Sequence, residues 1–303
     1  MSRQRRARTS GREPEAAWEV PLRIVSLLPA ATEIVAALGA GGWLVGVSQE
    51  CDYPPDVVRD LPRVTRTTID SSQPSGAIDR AVRAAGAAAT TIDTALVAEL
   101  RPDVLVGQTV CDVCAVGGDA LARAITDVPA PLRVVHLHAH TLEGVLADML
   151  AVGDAIGLRD EADELVAGLR YRLHRVRAGH ASHPGPLPPR ILVVEWLDPP
   201  YVAGHWVPEL IAIAGGQDVG NTPGARSVTR SWAELAALEP QRVVVALCGF
   251  DVARAQREIR AVADIDAQRL FARGVVFLDG NAYTSRPGPR LVDAAEQLAL
   301  MIG

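Results

Sequence analysis

The stretch Leu44-Val45-Gly46-Val47-Ser48-Gln49-Glu50-Cys51-Asp52-Tyr53-Pro54-Pro55 constrains the chain more than any other. A short apolar run suited to a buried strand enters a tip that carries an acid, a thiol, a second acid and a phenol. Two prolines then deny the backbone both further pairing and an immediate helix. The tip is therefore a fixed loop at the carboxyl end of a strand, which in open α/β sheets is where ligands bind. Glu50, Asp52 and Tyr53 are candidate ligand contacts on this ground.

Other segments end in the same way. Residues 23–28 stop at Pro29, and residues 104–107 lead through Gln108 to Cys111-Asp112-Val113-Cys114. Residues 190–194 end in Glu195-Trp196-Leu197-Asp198-Pro199-Pro200, residues 242–247 in Cys248-Gly249-Phe250, and residues 275–278 in a polar segment that reaches Arg286. Between them lie runs with helical spacing, among them residues 30–39 with Thr32 as the expected N-cap, 78–88, 208–214, 232–238 and 291–301. Such alternation predicts an α/β fold with mostly parallel sheets covered by helices on both faces.

A chain of 303 residues suits two such units. Residues 141–177 contain no proline, and apolar residues recur from Leu142, Val145 and Met149 to Leu169, Leu173 and Val176. That pattern predicts one long helix, bent near Gly157, that joins two Rossmann-like lobes as a rigid connector. The expected organisation is a polar tail over 1–19, a first α/β lobe over 20–140, the connector over 141–180 and a second α/β lobe over 188–303. Both lobes repeat a helix, a Leu-x-Pro turn and a strand, at Leu100-Arg101-Pro102 and Leu238-Glu239-Pro240.

A net charge of −6 without a long basic face argues against nucleic acid as a partner. Behind the basic residues 3–8 the chain is polar, and no segment is long and apolar enough to cross a bilayer. The expected address is the cytoplasm, where four cysteines stay reduced. Cys51, Cys111, Cys114 and Cys248 each sit just past a predicted strand, and the Cys111-x-x-Cys114 spacing suits two thiolates on one metal. They are candidate ligands of zinc or an iron–sulfur cluster, the alternative being ordinary buried thiols.

Aromatic residues make up only 4% of the chain, so Tyr53, Trp196, Trp206 and Tyr283, placed at or near strand tips, are candidate walls for a flat ligand. Glu195 adds an acceptor, and Arg286 of Arg286-Pro287-Gly288-Pro289-Arg290 is a candidate partner for an anionic group. The glycine pairs show neither dinucleotide nor Walker spacing, and no G-x-S-x-G elbow occurs.

With Ser26-Leu27-Leu28-Pro29-Ala30-Ala31-Thr32-Glu33, Val45-Gly46-Val47, Asp52-Tyr53-Pro54-Pro55 and the two Leu-x-Pro turns in place, residues 22–302 resemble the vitamin B12 and iron-siderophore substrate-binding proteins of ABC importers, above all their cobalamin-binding branch. The resemblance implies two lobes joined by one long helix, a corrinoid such as cobalamin in the cleft between them, no catalysis, and a permease as partner. It places Tyr53 on the corrinoid cleft and Trp196 and Tyr283 at strand ends that supply aromatic residues there. It also implies a docking glutamate before each Leu-x-Pro turn, where this chain has Ala95 and Ala233, with Asp93 and Glu234 close by. The competing expectation is a cytoplasmic metal or redox protein that reuses the fold around the four cysteines.

Overall fold

The computed structural model describes residues 21–108, 131–181 and 187–302. The first lobe opens with β1 (Ile24–Ser26), α1 (Pro29–Ala37), β2 (Leu44–Val47) and the short α2 (Pro55–Val58). Proline is the first residue of α1, where its missing amide costs nothing and its fixed φ suits the helix. Thr32, expected as the cap, lies inside the helix instead, and its hydroxyl donates to Ser26 Oγ at 2.8 Å.

An antiparallel ribbon of β3 (Thr65–Thr67) and β4 (Thr90–Ile92) carries α3 (Ser75–Ala85) between its strands. Asp93 caps α4 (Thr94–Leu100), which leads into β5 (Val104–Gln108), and β6 (Arg133–Leu137) completes a parallel sheet ordered β2-β1-β5-β6.

The single bent helix expected over 141–177 is a hairpin of α5 (Leu142–Ile156) and α6 (Arg159–Ala181). Gly157, at φ +77°, takes the left-handed conformation that glycine adopts without strain, and the Leu158 amide closes back on the Gly153 carbonyl at 2.8 Å. The two helices then run antiparallel, with Glu143 paired to Arg170 and Gly153 so close to Ala162 that an added Cβ would lie 2.4 Å from it. Helix α5 covers the first sheet, packing Leu146 and Met149 with Ile34, Val135 and Leu137.

The second lobe runs through β7 (Arg190–Leu197), β8 (Pro200–Val202), α7 (Val207–Ile213), β9 (Gln217–Asp218), β10 (Val228–Thr229), α8 (Trp232–Ala237), β11 (Arg242–Val245), α9 (Val252–Ala261), α10 (Ile265–Ala272), β12 (Val275–Phe277) and α11 (Leu291–Ile302). Its sheet is ordered β10-β8-β7-β11-β12, with β9 also on β7. Strands β7, β11 and β12 are parallel, so their carboxyl ends share one edge. Helix α6 is tied to this lobe through Arg172, which binds Glu296 at 2.9 Å and also Asp293 on α11. One apolar cluster runs from Ile34 and Val106 through Val152 and Val166 to Leu210 and Leu298, so the lobes share a core.

Helix α3 leaves its own lobe and docks on the other. Ile78 is 8% exposed and packs with Leu192, Val194, Leu197 and Leu247, with Ile69 and Val82 beside it. The Ser75 amide donates to Glu258 at 3.1 Å, and the Arg254 guanidinium donates to the carbonyls of Gln73 at 2.6 Å and Ser72 at 3.2 Å. Gly76 lies against Asp198, where a Cβ would stand 1.9 Å from Oδ2.

Asp218 at the end of β9 gives a pH-dependent prediction. Its Oδ1 accepts the amides of Gly220 at 2.7 Å and Asn221 at 3.2 Å, while Oδ2 is buried without a hydrogen-bond partner. Burial pushes the carboxyl up from 3.8 to about 6. The folded state thus holds this proton more tightly than the unfolded state does, so the penalty is absent at low pH and grows as pH rises from about 4 through 6, reaching about 3 kcal/mol at neutrality. In urea denaturation, Asp218→Asn is expected to lose less stability than the unmodified chain between pH 4 and pH 7; equal losses would refute this.

Candidate binding cleft between the lobes

The tip of β2 meets the second lobe directly. The Asp52 carboxylate accepts from Arg286 at 3.0 Å and from Asn281 Nδ2 at 3.1 Å. Arg286, 4% exposed, also donates to Asn281 Oδ1 at 2.8 Å and to Glu33 at 3.1 Å. Glu33 is buried on α1 and takes a second cation, Arg290, at 2.9 Å. Burial works to raise the Asp52 carboxyl, yet the hydrogen bond and charge of Arg286 hold it below its ordinary value. Burial likewise opposes the Arg286 charge, and its bonds to Asp52 and Glu33 outweigh that and raise its pKa.

The second lobe's tips are knitted together behind this contact. The Glu195 carbonyl accepts the Cys248 amide at 2.9 Å, and the Phe250 carbonyl accepts the Asn281 amide at 3.2 Å. Gly280 is pressed against Leu247, leaving no room for a Cβ, which would sit 2.1 Å from that carbonyl oxygen. Because Asp52 bonds to Asn281, the carboxyl ends of β2 on one side and of β7, β11 and β12 on the other face a single seam.

Several residues singled out from the sequence sit along it. Tyr53 is 43% exposed, with the Arg290 guanidinium 4.1 Å from its ring centre in cation–π geometry. Tyr283, half-buried, lies 5.9 Å from the same cation. Trp196 is half-buried, 5.2 Å from the Phe250 ring, and its indole Nε1 is buried without a partner. Glu50 is exposed and Glu195 half-buried at their strand ends.

Other expectations are corrected. Trp206 is no cleft wall: it is 8% exposed and donates Nε1 to the Thr284 carbonyl at 3.0 Å, inside the shared core. Arg286 is no spare cation for an anionic ligand, because Glu33 and Asp52 already neutralise it; the same pairing occupies Asp52. Cys51 is 1% exposed, lies 3.2 Å from the Thr32 hydroxyl, and has its thiol pushed up by burial to about 11. Cys248 is a half-buried free thiol, and Cys111 and Cys114 lie outside the described residues. Among the described residues no three or more His, Cys, Asp or Glu side chains are grouped to hold a metal ion. Alkylation of the native protein with iodoacetamide at pH 8 is therefore expected to modify the Cys248 peptide and spare the Cys51 peptide, with both modified in urea. Equal native labelling would contradict the burial of Cys51.

Glu33 and Asn281 escaped the sequence reasoning, and Arg290 enters it only as a second cation on its turn. The available signal was Glu33 itself, a lone acid in an apolar helix, which requires an opposite charge when buried. Asp293, in the first turn of α11, binds Arg172 rather than the cations of the preceding turn. At the expected docking positions Ala95 and Ala233 are exposed. Asp93 is occupied as the α4 cap and pairs with Arg66 at 3.3 Å, and Glu234 closes a capping box with Ser231.

The profile of a family described as periplasmic binding protein matches residues 24–265. A vitamin B12-binding protein of Vibrio cholerae is 24% identical over 283 residues, which cover 91% of this chain and 87% of that protein. Among solved structures, the apo periplasmic heme-binding protein RhuT of Roseiflexus sp. RS-1 superposes with a TM-score of 0.67 at 22% identity, covering 93% of this chain and 98% of that one. The periplasmic vitamin B12-binding protein BtuF of Vibrio cholerae gives 0.65 at 23% identity, covering 93% and 97%. Among the described residues no helix is long and apolar enough to cross a membrane. The match overturns the cytoplasmic address, because the family and these relatives are periplasmic. That expectation rested on the polar character of the first residues, and residues 1–20 lie outside those described.

Proposed function

This chain belongs to the periplasmic binding protein family, and from that membership we propose that it is a non-catalytic substrate-binding subunit of an ABC importer that holds cobalamin, or a closely related flat metal complex, between its lobes. The observation that carries the proposal is the Asp52–Asn281 and Asp52–Arg286 contact, which sets the strand tips of the two lobes against each other. Tyr53 then offers an exposed ring from one lobe and Trp196 an indole from the other. Flat apolar rings suit such walls. The named relatives bind vitamin B12 or heme, both planar metal macrocycles. Glu50 and Glu195 are the acceptors we assign to the rim. In the proposed division α5 belongs with the first lobe and α6 joins the two. Permease docking is assigned to the exposed first turns of α4 and α8, where Ala95 and Ala233 stand at the expected positions and the nearby Asp93 and Glu234 are engaged as helix caps.

Titration with cyanocobalamin and with hemin, followed by visible absorption and calorimetry, tests this. We expect one equivalent of one of them to bind at about micromolar affinity or tighter, with Tyr53→Ala and Trp196→Ala each weakening it about tenfold. No binding of either compound at a concentration of about 100 μM would overturn the assignment.

A further inference from the structure

The lobes also touch where β6 turns into α5 and β8 turns into α7. His140 stands in the first turn and His205 in the second, with their Nδ1 atoms 3.4 Å apart and their rings inclined by 35°. We propose that these two imidazoles bind a divalent transition-metal ion, zinc above all, which bridges the lobes through two protein ligands and completes its shell with solvent.

The separation is the first support. Two nitrogens each about 2.1 Å from a tetrahedral ion stand roughly 3.4 Å apart, a separation that is also at the long end for the nitrogen-to-nitrogen hydrogen bond the two rings make without a metal. Imidazole is a common ligand of zinc, copper and nickel.

The second support is how firmly His205 is held. Its φ of +54° is left-handed and unfavourable for a side-chain-bearing residue. Its amide donates to the Ala225 carbonyl at 2.6 Å, its carbonyl accepts the Gly224 amide at 2.9 Å, and its ring stacks on Trp206 at 5.5 Å. A strained backbone held this closely fixes one ring nitrogen against its partner on the other lobe.

A carboxylate also lies between the same two segments: Glu209, four residues beyond His205, accepts the Leu142 amide at 2.7 Å, two residues beyond His140.

The test is calorimetric titration of untagged, full-length protein with zinc chloride, comparing the unmodified chain with His140→Asn and His205→Asn. Asparagine tolerates the left-handed backbone at 205, and circular dichroism checks that each variant folds. One zinc site is expected to weaken at least tenfold in both variants, while any zinc held by thiols elsewhere persists. In the unmodified protein the same titration is expected to shift the imidazole nitrogen resonances of both histidines, a readout that needs no variant. An isotherm unchanged in either variant, or absence of zinc binding and of imidazole shifts in the unmodified chain, overturns the proposal. Neither result depends on whether the cleft binds cobalamin.

Discussion

Replacing Arg286 by methionine is expected to lower the unfolding free energy by about 3 kcal/mol, the scale on which a buried ion pair loses one partner. Methionine keeps much of the length and apolar character of the side chain, so packing changes little and the loss reports on charge. Asp52 is 58% exposed at its side chain and can rehydrate, but Glu33 is 2% exposed and cannot. Arg290 still pairs with Glu33, which keeps the cost at the lower end of the range for a stranded buried charge. Adding Glu33→Gln to Arg286→Met is expected to return part of the loss, because the acid left short of charge is then gone. Urea denaturation at pH 7 of Arg286→Met, Glu33→Gln and the double variant, beside the unmodified chain, completes the cycle. A loss under about 1 kcal/mol in Arg286→Met would mean that the pair is solvated in a way its burial denies. Because Arg286 also holds the Asp52 tip, the same variant is expected to weaken ligand binding.

Ile78→Asp is expected to release α3 from the second lobe without unfolding the rest. An unpaired carboxylate among Leu192, Val194 and Leu197 costs several kcal/mol, whereas lifting the helix returns the charge to water. The helix hangs from the two-stranded ribbon of β3 and β4, so it can move as a unit. Hydrogen exchange should then accelerate by about a hundredfold over 70–85, equivalent to about 3 kcal/mol of lost local stability, while β7 and β11 keep their protection. Arg83→Ala, which removes only an exposed contact with Asp79 and Tyr201, is expected to change little. Unchanged exchange in α3 of the Ile78 variant would show that its docking contributes little. Since α3 and Trp196 pack on the same cluster, release of the helix should also move the indole fluorescence toward that of a solvated tryptophan.

The strand tips were legible in the sequence because each apolar run ends on proline or polar residues, a local signal. The resemblance supplied the way the lobes face each other. The hairpin at Gly157 was not legible: a glycine inside a periodic pattern is tolerated equally in a bend or as a cap. The choice depends on the close approach of Gly153 and Ala162, a tertiary contact. Arg286 and Trp206 were recognised as chemically able residues near a tip, yet whether their polar atoms were spare depended on Glu33, Asp52 and Thr284 at long sequence separation. Helix α3 shows the same boundary. Ile78 and Val82 at helical spacing predict a buried face, and nothing in that spacing says which lobe buries it.

If the facing tips enclose one flat guest, crystals grown with cobalamin, or separately with hemin, hold a macrocycle lodged between the lobes, in contact with Tyr53 on one side and Trp196 on the other. A ligand bound to one lobe alone, or on the outer surface away from both rings, would contradict it.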